Sequence, residues 1–208
     1  LSEIYRLQES TGLVTTSDVA RRLGVSAPTA TAMLKKLADE GLVQRERYRG
    51  ATMTSSGKRR ALKTLRRHRL AEKLLVDALG LEWEDVHEDA HRLEHALSDR
   101  LVERIAAVLG EPEACPHGSL IPSRDGSVAS RHTLSLWDIE PSTRAEVVSI
   151  RDEDKKLLRH LAEIGLVPGA ELVVKEKTPY DEGMTVEIGP EKEVVGKTVA
   201  QAIQVERR

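Results

Sequence analysis

Residues 17–54 read SDVARRLGVSAPTATAMLKKLADEGLVQRERYRGATMT, and this stretch decides the fold of the N-terminal part. Ser17 opens a first predicted helix over residues 18–23, and a glycine turn follows it. Ser26 then caps a second helix that runs to about Glu40. Two short helices joined by a glycine-containing turn of this length form a helix-turn-helix unit.

The residues after the second helix have the alternating pattern of a two-stranded hairpin. Leu42–Tyr48 and Ala51–Thr54 are the predicted strands. From Ser55, a helix rich in Lys and Arg is predicted to continue to about Gly80. The helix-turn-helix and the hairpin together predict a winged helix-turn-helix domain over residues 1–62.

The distribution of charge suggests a polyanion as the binding partner of this domain. The chain has 208 residues and a formal net charge of only −2, yet residues 1–73 carry a net charge of +9 and the remainder −11. A basic N-terminal part is typical of nucleic-acid binding, although it is also compatible with solvated helix faces. Binding of double-stranded DNA is the favoured interpretation, and a winged helix used for protein contact is the alternative.

The predicted DNA contacts lie on the second helix and on the hairpin. Short side chains at the start of the second helix suit base edges and thymine methyl groups, whereas lysines and the wing arginines suit phosphates. The predicted DNA-binding residues are Ser26, Pro28, Thr29, Thr31, Ala32, Lys35, Lys36, Arg45, Arg47 and Arg49, with Lys58, Arg59 and Arg60 as further phosphate contacts.

The rest of the chain is predicted to contain a helical domain, a linker and a small β domain. Residues 63–125 form the helical domain, in which a long helix over Trp83–Leu109 carries an apolar stripe suited to a core and to a subunit interface. Residues 126–144 are the linker. Residues 145–208 are predicted to form a small SH3-like β-barrel with strands at Val147–Ile150, Glu171–Lys177, Met184–Ile188 and Ala202–Glu206 and one helix over Asp154–Ile164.

The composition excludes some classes of protein. The chain has no run of about 18 apolar residues and no charged-then-apolar leader, so neither a transmembrane helix nor secretion is expected. Its single cysteine, Cys115, cannot form an intramolecular disulfide. A lone thiol fits a reducing compartment, and we expect a cytoplasmic location.

A second stripe on the long helix predicts metal binding. At about 100° for each residue, His87, His91, Glu94 and His95 share one helix face, and the preceding helix carries His68 and Glu72 one turn apart. Imidazole and carboxylate ligands without thiolate suit Mn²⁺ or Fe²⁺, and Zn²⁺ remains an alternative. The remaining histidines, His117, His132 and His160, are interpreted as ordinary surface or core groups.

A metal-dependent hydrolase is the main rival interpretation of these ligands. The sequence has no separate carboxylate placed as a general base and no obvious substrate-binding loop. The adjoining basic domain also favours sensing over catalysis. We therefore expect a regulator and not an enzyme.

With these residues in place, the chain resembles the diphtheria-toxin-repressor family of iron- and manganese-dependent regulators. The resemblance covers nearly the whole chain, including HRLAEKLL from His68, VHEDAHRLEHALSD from Val86 and CPHGSLIP from Cys115. It implies a homodimer whose metal-loaded form binds a palindromic operator, usually to repress metal uptake.

The resemblance also implies two metal ions in each subunit. His68, Glu72 and His87 match an ancillary site, for which Glu153 and Asp154 are candidate ligands from the C-terminal domain. His91, Glu94 and His95 match the primary, regulatory site, whose first ligand would fall about two residues before Leu1. That ligand would tie the N-terminal helix to the dimerisation helix and set the spacing of the two recognition helices.

Two departures from the family pattern bear on specificity. His91 stands where iron-type members carry Cys and a manganese-type member carries Glu, so the resemblance leaves the metal open. Imidazole is a harder ligand than thiolate and favours manganese, with Fe²⁺ as the alternative. Ala32 replaces the amide side chain that iron-type members use for base readout. The operator sequence is therefore not predicted.

Overall fold

The computed structural model describes residues 1–46, 50–151, 154–178 and 182–208, with residues 9–11 described by their backbone alone. These residues divide into two compact units. The first contains residues 1–66 and 122–127, and the second contains residues 67–121 and 128–208. No helix among the described residues is long and apolar enough to cross a membrane.

The first unit is a helix-turn-helix followed by a two-stranded hairpin, as predicted. Its elements are α1 (Ser2–Thr11), α2 (Thr16–Leu23), α3 (Ala27–Asp39), β1 (Val43–Glu46), β2 (Gly50–Met53) and the start of α4 (Ser55–Asp77). The strands pair antiparallel from Val43 opposite Met53 to Glu46 opposite Gly50. Val14, Ala30, Leu34 and Ala51 lie in the core, so the hairpin packs on the helices.

The ends of α2 and α3 follow from local capping. α2 begins at Thr16, because Thr15 and Asp18 form a capping box in which each side chain accepts the other residue's backbone N–H at 3.1 Å. The predicted opening at Ser17 was therefore late. Ser26 caps α3 as predicted, and Pro28 lies in its first turn, where its missing N–H costs little.

The helical part of the second unit contains two helices where the sequence predicted one. α5 (His87–Ala96) and α6 (Asp99–Val108) replace the single helix expected over Trp83–Leu109. Leu97 has an extended ψ of 116°, and the Ser98 side chain accepts the Leu101 N–H as the cap of α6. The preceding helix α4 ends at Asp77, before the predicted Gly80.

The helices of the second unit share one apolar core and leave part of α6 exposed. Leu70 and Leu75 of α4, Ala90 of α5 and Val102 of α6 belong to the same buried cluster. Leu101 is 46% exposed and Val108 is 64% exposed. Exposed large apolar side chains on a helix of this kind suit a subunit interface.

The C-terminal part of the second unit is one antiparallel sheet of six strands in the order β3-β8-β4-β5-β6-β7. Its elements are β3 (Leu134–Ser135), a 3₁₀ turn (Leu136–Asp138), β4 (Arg144–Ile150), α7 (Lys155–Glu163), β5 (Glu171–Lys177), β6 (Gly183–Ile188), β7 (Glu191–Gly196), α8 (Lys197–Ala202) and β8 (Ile203–Arg207). Among the described residues the edge strands β3 and β7 do not pair, so the predicted barrel is an open sheet.

Two of these strands lie outside the predicted ones. β3 falls within residues 126–144, which the sequence analysis interpreted as a linker, and Leu136 and Ile139 beside it are fully buried in the core of the sheet. β7 is an edge strand that buries little besides Val195, and its Val194 is exposed. Its sequence is therefore rich in charged residues and lacks the apolar pattern that would predict a strand.

Candidate metal centre

Two clusters of imidazole and carboxylate groups lie in the second unit, and the His68 side chain contacts both of them. We call the first the inner cluster; it consists of His68, Glu72, His87, Cys115 and His117. We call the second the outer cluster; it consists of His91, Glu94 and His95. His68 and Glu72 lie one turn apart on α4 and are both only 3% exposed, which is rare for ionisable side chains unless they are paired.

The inner cluster has donor spacings that fit a divalent metal ion. His68 Nε2 lies 3.1 Å from Glu72 Oε1 and 3.2 Å from His87 Nδ1, and His87 Nδ1 lies 3.5 Å from the same Glu72 oxygen. Ligands about 2.0–2.2 Å from one ion are roughly 2.8–3.6 Å from each other in octahedral or tetrahedral geometry. These three atoms can therefore converge on one ion with little movement.

His117 and Cys115 add two further candidate ligands to the inner cluster, and the sequence analysis did not select either of them. One ligand atom each from Glu72, Cys115 and His117 lie within 4.8 Å of one another, and all three residues are buried. His117 Nδ1 lies 3.6 Å from Glu72 Oε1, whereas its Nε2 lies 2.9 Å from the Trp83 carbonyl oxygen. A carbonyl accepts only, so Nε2 carries a proton and Nδ1 faces Glu72.

A tight turn fixes His117 beside the sheet. The Gly118 N–H donates to the Cys115 carbonyl, and the Ile150 N–H of β4 donates to the His117 carbonyl. Gly118 has a φ of +79°, and a Cβ atom there would lie 2.0 Å from the Val148 carbonyl oxygen. Only glycine permits this approach. The Cys-x-His spacing in CPHG was the available sequence signal.

The outer cluster is organised around Glu94 of α5. Glu94 is only 7% exposed, and its Oε2 lies 2.9 Å from His68 Nδ1. Its other oxygen, Oε1, lies 3.1 Å from His91 Nδ1 and 3.3 Å from His95 Nε2. The His91 and His95 side chains are 64% and 68% exposed. The outer cluster therefore combines one fixed carboxylate with two imidazoles open to solvent.

The inner cluster is electrostatically balanced in the metal-free chain. Burial disfavours the His68 imidazolium, but hydrogen bonds to Glu72 and Glu94 outweigh it and raise the pKa of His68 from 6.5 to about 9. Burial likewise opposes the charge on His117, whose bonds to Cys115 and Glu72 raise its pKa to about 10. These changes fit a network in which each buried carboxylate is paired with an imidazolium.

The two buried carboxylates remain ionised for the complementary reason. Burial alone would raise the pKa of Glu72, but hydrogen bonds from His117, His68 and His87 hold it well below its usual value. Burial also acts to raise the pKa of Glu94, and the hydrogen bond and charge of His68 lower it. Ionised carboxylates are available as metal ligands without losing a proton.

The two C-terminal ligand candidates are not found in these clusters. Glu153 lies outside the described residues. Asp154 caps α7, where its Oδ1 accepts the N–H groups of Lys156 and Leu157 at 2.9 Å. In the part of the chain that the structure describes, the donor groups suited to a metal do not include Asp154. Its role as a ligand stays a prediction.

The predicted DNA contacts lie on the exposed face of α3 and on the hairpin. All seven predicted residues on α3 and its cap are exposed, namely Ser26, Pro28, Thr29, Thr31, Ala32, Lys35 and Lys36. Arg45 on β1 is exposed as well, whereas Arg47 and Arg49 lie outside the described residues. Met33, which the sequence analysis did not select, is 42% exposed on the same helix.

The hydroxyl groups at the start of α3 already have partners within the helix. Thr31 Oγ1 donates to the Ala27 carbonyl at 2.9 Å, and Thr29 Oγ1 lies 2.8 Å from Ser26 Oγ. Pro28, Ala32 and Met33, which are exposed on the same helix, present apolar groups. A surface of this kind contacts thymine methyl groups better than it hydrogen-bonds base edges.

Comparisons with known domain families match the whole organisation. The iron dependent repressor N-terminal DNA binding domain matches residues 1–51, and the iron dependent repressor metal binding and dimerisation domain matches residues 54–123. The FeoA domain matches residues 134–207. Both clusters lie within the residues that match the metal binding and dimerisation domain, whereas the predicted ligands Glu153 and Asp154 lie outside them.

Relatives and solved structures agree along the full length. The iron-dependent repressor IdeR of Mycobacterium leprae is 32% identical over 220 residues, covering 100% of this chain and 95% of the relative. The diphtheria toxin repressor of Corynebacterium jeikeium is 28% identical with the same coverage. A manganese-dependent transcriptional repressor in complex with manganese superposes with a TM-score of 0.91 and 37% identity over 100% of both chains.

A second structure, of the manganese regulator SloR, has a TM-score of 0.85 and 30% identity over 100% of this chain and 96% of that one. The winged helix, the metal-binding and dimerisation domain and the two ligand clusters together define a metal-dependent DNA-binding repressor and not an enzyme. The chain belongs to the iron-dependent repressor family, which includes the diphtheria toxin repressors.

Proposed function

We propose that this protein is a repressor activated by Mn²⁺, with one ion held by each cluster, and that its homodimer binds a palindromic operator. The observation that carries the choice of ion is the outer cluster, whose donors are two imidazoles and one carboxylate. Without a thiolate at this position, the cluster suits a hard ion better than a soft one.

The inner cluster supports a second ion in each subunit. Its Glu72 oxygen faces three imidazoles at 3.1–3.6 Å, so four donors from three segments of the chain already converge. Cys115 adds a sulfur donor on the side of His117. A bound divalent ion would supply the positive charge that balances Glu72 after His68 and His117 give up protons.

The metal-dependent step is a shift in the population of dimers. Two α3 helices enter successive major grooves only if they are about one helical turn of DNA, roughly 34 Å, apart. Metal binding at both clusters favours dimers with that spacing over dimers with other spacings. DNA binding is strengthened by the difference in metal affinity between these two kinds of dimer. A two-fold symmetric dimer reads a palindrome because each subunit presents the same surface.

Readout of the operator depends on the exposed face of α3. Pro28, Ala32 and Met33 offer apolar groups, and the hydroxyl groups beside them are bonded within the helix. Lys35, Lys36 and Arg45 are exposed cations suited to phosphates. This division supports recognition of thymine-containing half-sites, with the phosphate contacts providing salt-dependent affinity.

A binding experiment tests the proposal directly. A duplex is selected from a random library in the presence of Mn²⁺, and its affinity is then measured by fluorescence anisotropy with a chelator, Mn²⁺, Fe²⁺ or Zn²⁺ at fixed salt. We expect tight binding with Mn²⁺ and weak binding with chelator. Equal affinity under chelator and Mn²⁺ would refute metal activation, and stronger activation by Fe²⁺ would refute the choice of ion.

Substitution of the central carboxylate separates metal control from assembly. Glu94→Gln should lose the response of DNA binding to Mn²⁺ while the protein remains a dimer in gel filtration. An exposed carboxylate on the same helix, Glu88, provides the matched control, because Glu88→Gln changes charge equally without touching the cluster. A monomeric Glu94→Gln protein would show that Glu94 is mainly structural.

A further inference from the structure

Among the described residues, His68 is the one whose groups of metal-ligating atoms fall in both clusters. One group contains His68, Glu72 and His87, and the other contains His68, His91 and Glu94. Its two ring nitrogens point to different clusters, with Nε2 at 3.1 Å from Glu72 Oε1 and Nδ1 at 2.9 Å from Glu94 Oε2. At 3% exposure the ring has no solvent as an alternative partner.

The chemistry of imidazole prevents His68 from serving both clusters in the same way. A nitrogen that binds a metal ion uses its lone pair, and in a neutral ring the other nitrogen then carries the proton. Nε2 has the better-formed set of co-ligands, because His87 Nδ1 and Glu72 Oε1 lie 3.2 and 3.1 Å away. With Nε2 as the ligand, Nδ1–H remains a donor to Glu94.

That remaining hydrogen bond determines what Glu94 can offer to the outer cluster. Glu94 uses Oε2 to accept from His68, which leaves Oε1 directed at His91 and His95. Both of these imidazoles are mostly exposed, and the buried oxygen that faces both of them is Glu94 Oε1. A ligating carboxylate held in this way by a hydrogen bond from the next layer of residues binds metal more tightly.

We propose that His68 couples the two metal sites, acting as a ligand of the inner cluster through Nε2 and as the positioning residue for Glu94 through Nδ1–H. This inference rests on the proposed function, since it takes both clusters to be metal sites. An ion in the inner cluster anchors the His68 ring, and the anchored ring holds Glu94 for the outer cluster. Filling of the inner site therefore raises the affinity of the outer site, and by linkage the outer ion raises the affinity of the inner site by the same factor.

The test uses variants of the inner cluster and measures binding at the outer cluster. His117 contacts Glu72 and the Trp83 carbonyl and lies on the far side of the inner cluster. Mn²⁺ alone is titrated into each metal-free protein, and free Mn²⁺ is followed by electron paramagnetic resonance. The outer binding event is identified by its loss in His95→Ala, and His132→Ala, which changes an exposed histidine outside both clusters, is the matched control.

We expect two Mn²⁺ ions per wild-type chain and about tenfold weaker outer binding in His117→Ala, a size typical of losing an outer-layer partner. Outer affinity equal to that of wild type in His117→Ala would overturn the coupling. If wild-type protein bound no Mn²⁺, the proposed function would fail instead, so the two failures are distinguishable.

A pair of substitutions at His68 keeps the inference testable if His117→Ala folds poorly. The amide nitrogen of His68→Asn falls near the position of Nδ1 and retains a donor for Glu94, whereas the amide of His68→Gln falls near Nε2 and loses that donor. Both variants should lose the inner ion. Outer affinity should be higher in His68→Asn than in His68→Gln, by about tenfold, and equal affinities would refute the positioning role.

Discussion

Replacement of Glu72 by Gln should destabilise the metal-free protein at neutral pH and much less at high pH. Glu72 is the carboxylate on which His68, His87 and His117 converge. The substitution keeps the size of the side chain and removes its charge. The buried imidazolium groups of His68 and His117 then lose a counter-ion, which is costly because no solvent replaces it.

The magnitude follows from the pKa of His68. A rise from 6.5 to about 9 corresponds to about 3 kcal/mol of interaction in favour of the imidazolium, at 1.36 kcal/mol for each pKa unit. Glu94 supplies part of this interaction, but His117 loses its carboxylate partner in the same variant. The expected loss in the free energy of unfolding near pH 6 is therefore about 3 kcal/mol, in line with the removal of one partner from a buried pair.

The sign of the pH dependence is fixed by the direction of the shifts. Both histidines have folded-state pKa values above 6.5, so their stabilisation is complete below pH 6.5 and disappears as the pH rises through about 9 for His68 and about 10 for His117. The difference between wild type and Glu72→Gln should therefore shrink between pH 6 and pH 10.5.

The assay is urea unfolding followed by tryptophan fluorescence in the presence of chelator. Trp83 and Trp137 both lie in the unit that contains Glu72, so the signal reports on that unit. Glu88→Gln is the control and should change stability by less than about 0.5 kcal/mol, because Glu88 is exposed. A difference of the same size at pH 6 and pH 10.5 would show that Glu72 acts through packing and not through charge.

Three further predictions concern DNA readout, ion preference and assembly. Deoxyuridine in place of a thymine under α3 should weaken binding about fourfold in anisotropy titrations, the value of one buried methyl group; unchanged affinity at every thymine would contradict apolar readout by Ala32 and Met33. Cys115→Ser should lower the ratio of bound Zn²⁺ to bound Mn²⁺ after exposure to equal concentrations of both ions, because a thiolate favours softer ions. The bound metals are measured by mass spectrometry, and an unchanged ratio would show that the thiol does not bind the ion. Leu101→Glu should give monomers in analytical ultracentrifugation. Leu79→Glu, which changes an exposed leucine outside α6, should remain a dimer. A dimeric Leu101→Glu protein would show that the subunit interface does not include Leu101.

The sequence was sufficient to predict which candidate ligands share a face of a single helix. His87, His91, Glu94 and His95 repeat at helical spacing, so their shared face follows from helix geometry alone. The same is true of His68 and Glu72 on α4. The winged helix was predictable for a similar reason, because caps and turns are local signals. In each of these cases the partners are within one or two turns in sequence.

Features that depend on distant parts of the chain were missed or misplaced. His117 joins Glu72 from 45 positions away, and it does so through a turn that packs on β4. No periodic pattern marks such a residue, although the short Cys-x-His spacing was visible. The break before α6 was hidden for another reason: Leu93, Leu97 and Leu101 keep helical spacing across it, whereas the cap at Ser98 is the signal that ends the helix.

The two clusters differ in a way that suits one to structure and the other to sensing. Within the inner cluster, imidazolium groups take the place of a cation, so the carboxylates have partners before any ion arrives. The fold around α4 and α5 therefore does not depend on metal for charge balance. The outer cluster has two imidazoles that are mostly exposed, so an ion bound there would be open to exchange with solvent. Changes in metal supply should act first at the outer cluster. Because the His68 ring bonds to both Glu72 and Glu94, metal binding at one cluster should change the metal affinity of the other.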